Sequence, residues 1–215
     1  MSDSDDDVPT LSAHTLAALR EFYEENQGKN ICDVSTPADH FAVGAVEEDW
    51  RMSQFWYTDD TATRLAEELE EQAGEGGRIA CVSAPSVYQK LKQLSGAVSA
   101  TVFEYDRRFA VYGDEFVFYD YNEPLGPAER GVEPCSFDVV MVDPPYLSEE
   151  CLSKVARTVK YLSKGKVLLC TGAVMENVAK QLLNVDMCRF LPQHRRNLSN
   201  DFRCFVNYPS RLLSG

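Results

Sequence analysis

The 215-residue chain reads as a doubly wound α/β fold: a mostly parallel sheet of seven strands with an antiparallel C-terminal edge. Three observations predict it. Apolar runs of about four to six residues recur with little polar alternation, the mark of strands buried on both faces. Helix-period segments alternate with most of these runs, as the crossovers of a parallel sheet require. The last two runs are joined by a polar segment with no helical pattern, so they are free to pair as an antiparallel ribbon at one edge. The length suits one domain, and a core of this size folds without a metal or disulfide staple.

Residues 1–9 are acidic and are expected to be disordered. Ser12 is placed to cap a helix reaching about Glu25, with Leu11, Leu16, Leu19 and Phe22 near helical spacing. Residues 26–45 read as a loop, and residues 46–215, opening on the aromatic-rich stretch DWRMSQFWYTDDT, as the folded domain. Thr58 or Asp59 starts a helix through Gln72, with Ala62, Leu65, Ala66 and Leu69 on one face and Gly74, Gly76 and Gly77 ending it. Strands follow at 78–83, 100–104, 115–119, 137–142, 165–170, 186–191 and 202–208. Between them, helices are expected at 85–95, 149–163 and 173–183, a short helix or turn at 106–112, and a Pro/Gly loop at 124–134.

Charge and cysteine content narrow the function classes. The net charge is −13, yet it is unevenly spread: residues 1–50 hold 12 acids and 2 bases, and residues 151–215 hold 3 acids and 11 bases. An acidic chain is a poor default binder of nucleic acid, whose phosphates draw on Lys and Arg. Seven cysteines with no C-x-x-C pair, and three histidines, speak against a disulfide framework or a zinc knuckle and for a reducing cytosolic or nuclear compartment. No metal-ligand set is expected. No run approaches the roughly 18 apolar residues of a membrane span, and MSDSDDDVPT reads as neither signal nor transit peptide.

In doubly wound sheets ligands bind beyond the carboxyl ends of the strands, so the residues standing there carry the functional reading. The first strand is followed by Ser83-Ala84-Pro85-Ser86, the second by Glu104 and Asp106, the third by Asp120 and the fourth by Asp143-Pro144-Pro145-Tyr146. There is no G-x-x-x-x-G-K-[ST] and no G-x-G-x-x-G. Acids at three successive strand ends suit ribose hydroxyls, an adenine amine and a cationic centre rather than a polyphosphate. In the turn after the fourth strand two prolines fix the backbone and remove two N–H donors. What they leave is carbonyl acceptors, a carboxylate and an aromatic ring, a combination that accepts from an amine and stacks a flat or cationic group. The bland alternative is a strand-ending turn whose Asp caps the next helix.

These residues resemble the seven-stranded, S-adenosylmethionine-dependent methyltransferases, a Rossmann-like family. DPPY resembles their amino-methylating branch. Ser53–Tyr57 (SQFWY), Arg78–Lys90, Phe103–Phe109, Phe118–Asn122, Asp143–Leu152, Tyr161–Gly172 and Arg203–Tyr208 are similar to the eukaryotic elongation factor 1-alpha lysine methyltransferases, once classed with N6-adenine-specific DNA methyltransferases. The similarity spans roughly residues 46–208. It departs from the broad family after the first strand, where Ser83–Ser86 stands in place of a Gly-rich loop. The resemblance implies S-adenosyl-L-methionine as cofactor, with Ser83 and Ala84 in the cofactor turn. Glu104 is implied at the ribose hydroxyls, with Asp106 as the alternative, and Asp120 at the adenine amine. Gln54 and Trp56 fall where relatives contact the methionine end, although packing explains Phe55, Trp56 and Tyr57 equally well. Asp143, Pro144, Pro145 and Tyr146 match the catalytic turn. Glu47, Glu48 and Asp49 read as surface, and Asn197 and Asn200 as turn residues or substrate contacts. The resemblance further implies a cytoplasmic, monomeric enzyme whose partner is elongation factor 1-alpha, with no nucleic acid and no membrane. Two other readings stay open: a nucleic-acid adenine N6-methyltransferase, and a silent cofactor-binding module.

Overall fold

The computed structural model describes residue 41 and residues 46–94, 98–196 and 198–214. The expected acidic tail, the helix over 12–25 and the loop over 26–45 lie outside them apart from Phe41. Seven strands form one sheet: β1 (Arg78–Val82), β2 (Ser99–Glu104), β3 (Phe116–Phe118), β4 (Phe137–Val142), β5 (Ser163–Gly172), β6 (Asp186–Met187) and β7 (Phe202–Val206). Their order is β3-β2-β1-β4-β5-β7-β6. β1 pairs in parallel with β2 and β4, β2 with β3, and β4 with β5, while β7 runs antiparallel to both β5 and β6. The chain therefore builds outward from β1 through β3, then returns to start the other half at β4. The gap between the ends of β1 and β4 is the switch point where a crevice opens.

The strands are apolar without alternation because each face has its own cover. Ile79 and Cys81 of β1, Val139 and Met141 of β4, and Leu168 and Cys170 of β5 point one way, into a core with α1 (Asp59–Ala73) and α2 (Pro85–Leu94). Ala80, Val82, Val140, Val142, Val167 and Leu169 point the other way. There they meet α4 (Glu149–Leu162) and α5 (Glu176–Leu183), and a single turn, α3 (Gly126–Glu129), lies in the loop before β4. α1 buries Ala62, Leu65, Ala66 and Leu69, the i, i+3, i+4, i+7 stripe of an amphipathic helix. Thr58 caps it by accepting from the Thr61 N–H, and Gly74 ends it at φ +74°.

Three elements differ from expectation. β6 covers only Asp186–Met187 rather than 186–191. The Phe190 N–H is drawn away to the Leu213 carbonyl of α6 (Arg211–Ser214), and Pro192 has no donor to continue a ladder. The stretch after β2 is a 3₁₀ run over Arg107–Glu115, broken at Gly113 with φ +60°. The helix expected over 173–183 opens with one 3₁₀ turn, Ala173–Met175. Among the described residues no helix is long and apolar enough to cross a membrane.

Candidate active site

A cleft of about 610 Å³ opens at the switch point. It is lined by the turn after β1 (Ser83, Ala84), by Glu104, Asp120 and Asp143 from the next three strand ends, and by Pro144, Pro145 and Tyr146. Residues up to 63 apart in sequence, Ser83 and Tyr146, thus meet because parallel strands deliver their carboxyl ends to one edge. Two segments outside the sheet wall the cleft. Residues 51–56 come from before α1, and His194, Leu198–Asn200 and Phe202 from the connection leading into β7. These walls are joined. Tyr57 and His194 form an antiparallel bridge, Thr58 N–H donates to the Gln193 carbonyl at 2.9 Å, and Arg195 N–H donates to the Trp56 carbonyl at 2.8 Å. The Arg196 guanidinium also pairs with Glu48 at 2.9 Å, so Glu48, expected at the surface, is a tie between the walls.

The turn after β4 is not a helix cap. Ser148 caps α4, accepting from the Cys151 N–H, and Asp143 is left for other work. The Asp143 N–H is anchored on the Val82 carbonyl at 3.0 Å. Its Oδ2 accepts from the Tyr57 hydroxyl at 2.7 Å, and Oδ1 has no protein partner among the described residues. Asp143 is reachable from the cleft yet deeply surrounded by protein. Burial pushes its carboxyl up to about 7, against the lowering effect of the Tyr57 hydrogen bond. Tyr146 is 46% exposed, its ring edge-on to Tyr121 at 5.7 Å, so one aromatic face remains open.

The two acids after β2 separate cleanly. Glu104 is buried in the cleft wall, with Oε1 accepting from the Tyr105 and Asp106 N–H groups at 3.0 and 3.2 Å. Oε2 has no protein partner among the described residues. Burial pushes Glu104 up to about 7, the backbone donors resist, and the nearby Asp106 and Asp143 charges add to the rise. Asp106, the alternative ribose acid, does not line the cleft. It caps the 3₁₀ run, pairs with Arg108 at 2.7 Å and accepts from Gln54 Nε2 at 2.9 Å. Although burial works the other way, hydrogen bonds from Arg108 and Gln54 hold its carboxyl below the usual range. Gln54 is tied to the same cluster. It lines the cleft, but its amide ties Asp106 to Asp49, whose N–H it accepts at 3.0 Å. Trp56 lines the cleft as well, while its Nε1 donates to the Val46 carbonyl and its ring meets Phe109 edge-on. Packing and lining are therefore both its roles.

Asp120 lines the cleft with Oδ1 held by the Asn122 N–H at 2.8 Å. Asn200 lines it too, and Asn197 lies outside the described residues. Sequence reasoning missed His194. Its ring lies 4.7 Å from Tyr57 and 4.9 Å from Phe202, and burial pulls it down to about 4, so it is neutral near pH 7.

Fold and cleft together are those of a seven-stranded methyltransferase. Residues 48–210 match the family described as "Probable N6-adenine methyltransferase", and the chain belongs to that family. Its similar curated relatives include "EEF1A lysine methyltransferase 1" of Gallus gallus, 60% identical over 99% of this chain and 100% of the relative. The protein of the same name in Homo sapiens is 58% identical over 100% of both chains. "Protein-lysine N-methyltransferase EFM5" of Saccharomyces cerevisiae is 37% identical over 93% of this chain and 92% of the relative.

Proposed function

We propose that this chain is a cytoplasmic, S-adenosylmethionine-dependent protein-lysine N-methyltransferase acting on a lysine of translation elongation factor 1-alpha. One observation carries the reading: Asp143-Pro144-Pro145-Tyr146 stands in the same cleft as Glu104 and Asp120, so an amine acceptor adjoins a nucleoside-shaped acidic wall. The names of relatives at 58–60% identity over nearly the full length support the lysine substrate.

The residues present fit the cofactor. Glu104 offers the unpartnered Oε2 to vicinal hydroxyls, and Asp120 offers an acceptor to an exocyclic amine. Ser83, in a left-handed turn at φ +52°, and Ala84 keep side-chain bulk out of the cleft beneath them. When bound, S-adenosylmethionine supplies an electrophilic methyl on a sulfonium.

The chain's own work is to present a neutral amine. A free lysine is neutral in only about one molecule in 2,500 at pH 7, a penalty of roughly 4–5 kcal/mol unless the site lowers its pKa. A slot walled by Tyr146, Phe202 and uncharged His194 disfavours the ammonium by desolvation. Asp143 Oδ1 and the Pro144 carbonyl accept the amine's hydrogens and aim its lone pair, which is a gain of orientation rather than of charge. The Tyr146 ring face then accommodates the developing cation.

Incubation with tritiated cofactor and purified elongation factor 1-alpha should label a lysine of that protein. Asp143→Ala should lower transfer by roughly a hundredfold or more while cofactor binding, measured by calorimetry, survives. Near-normal turnover in that variant would remove Asp143 from the assigned role. Label in a cell extract that disappears with nuclease would favour the adenine substrate that the family description names.

A further inference from the structure

Tyr57 is the most deeply placed polar group touching the cleft's carboxylates. It is 1% exposed, its backbone is bridged to His194, and its ring lies tilted against the imidazole at 4.7 Å. A phenylalanine would fill the same space, so packing does not account for the hydroxyl. That hydroxyl reaches across 86 residues of sequence to Asp143 Oδ2 at 2.7 Å. The Asp143 backbone is fixed independently by the Val82 carbonyl. A carboxylate held at its backbone and at one oxygen has one rotamer and one free oxygen.

We infer that Tyr57 is a positioning residue for the reaction: its phenol occupies Oδ2 of Asp143, so that Oδ1 alone meets the nucleophile. The inference rests on the role proposed above for Asp143. It has a second consequence. The phenol donates more strongly to a carboxylate than to a neutral carboxyl, so it favours the ionised form, which keeps acceptor capacity on its free side. The other titratable groups facing Asp143 are Glu104 from β2 and Cys170 from β5, with His194 behind the Tyr57 ring. Burial holds Cys170 well above its ordinary value and pulls His194 down to about 4. Glu104 is therefore the neighbour whose charge also changes near neutral pH.

Two readouts on Tyr57→Phe test this. The first is the Asp143 titration, followed by NMR of protein labelled with ¹³C at aspartate carboxyls, which leaves Glu104 silent. The second is the pH profile of single-turnover methylation of elongation factor 1-alpha. Loss of the phenol should move the Asp143 titration upward by roughly half a unit or more. The acid limb of the rate profile should move the same way, with the rate at pH 7 down about tenfold and the affinity for S-adenosylmethionine retained. If the variant folds poorly, 3,5-difluorotyrosine at position 57 keeps the hydroxyl and makes it a stronger donor, so the titration should move downward instead. A rate loss with the Asp143 titration unmoved in either protein would overturn the inference and leave Tyr57 as packing. A moving titration in an enzyme that never labels elongation factor 1-alpha would uphold the inference and sink the lysine reading.

Discussion

Glu104 and Asp143 stand at strand ends either side of β1, and burial pushes both carboxyls up to about 7. A cleft that is partly protonated when empty must release protons when a cation enters. S-adenosylmethionine carries a sulfonium and its demethylated product does not, so charge and shape can be separated. Calorimetry from pH 6 to 8 should show affinity rising with pH more steeply for S-adenosylmethionine than for S-adenosylhomocysteine, with net proton release on binding. Equal slopes would mean that neither carboxyl senses the sulfonium. At this scale the sequence was readable where chemistry is local. Asp143–Tyr146 announces itself in four residues. Glu104 and Asp106 could not be told apart, because both follow the same strand and what separates them is burial and the competing claim of Arg108. Tyr57 was readable only as one aromatic of the SQFWY stretch and His194 not at all, since the Tyr57 partners lie 86 and 137 residues away and only the closed fold joins them.

The glycine-rich end of α1 shows how an element sets the site's frame. Gly77 joins α1 to β1, and its carbonyl accepts from the Ser99 N–H, starting the β1–β2 pairing. A Cβ there would stand 2.3 Å from the Ala73 carbonyl oxygen, a backbone atom that cannot swing aside. Gly77→Ala should therefore cost about 1–3 kcal/mol, read as a lower urea midpoint with the slope unchanged. A midpoint within error of the parent would show that the helix end yields freely. Elements were legible wherever local pattern and tertiary environment agree. β4 was expected at 137–142 and is Phe137–Val142, because its five apolar residues, interrupted only by Asp138 near the strand's start, are buried on both faces of a central strand. β6 was overestimated because its apolar residues are there for another purpose: Phe190 packs against the α1–α2 core and its N–H bonds to α6, a contact that no window of neighbouring residues contains.

For the whole molecule, the cleft's demand for buried acids has a stability cost whose sign can be worked out. Relative to ordinary values of 3.8 and 4.5, Asp143 and Glu104 are raised to about 7, so each contributes stability that is present below its unfolded value and lost as pH rises toward 7. Glu68, buried in α1 beside Tyr208 and Ser210, is raised as well and adds to the loss. His194 works the other way. Its value falls from 6.5 to about 4, so it contributes stability present above 6.5 and lost as pH falls toward 4. Near pH 5.5 the folded state thus binds two protons at the cleft carboxyls and none at His194, while the unfolded state binds one at the histidine. The difference of one proton predicts that unfolding free energy falls by about 1.4 kcal/mol per pH unit as pH rises across roughly 5 to 6.5. Acids held low by their partners, Asp106 and Asp138 among them, give the opposite slope, but below their ordinary range near 3.8. Stability should therefore peak on the acid side of neutrality, and Glu104→Gln should flatten the decline because an amide has no proton to lose. Urea unfolding between pH 5 and 7 reads this directly. A stability that climbed with pH across that window would mean that Glu104 and Asp143 are charged and solvated in the free protein, and that the acidic wall is not yet formed until something binds it.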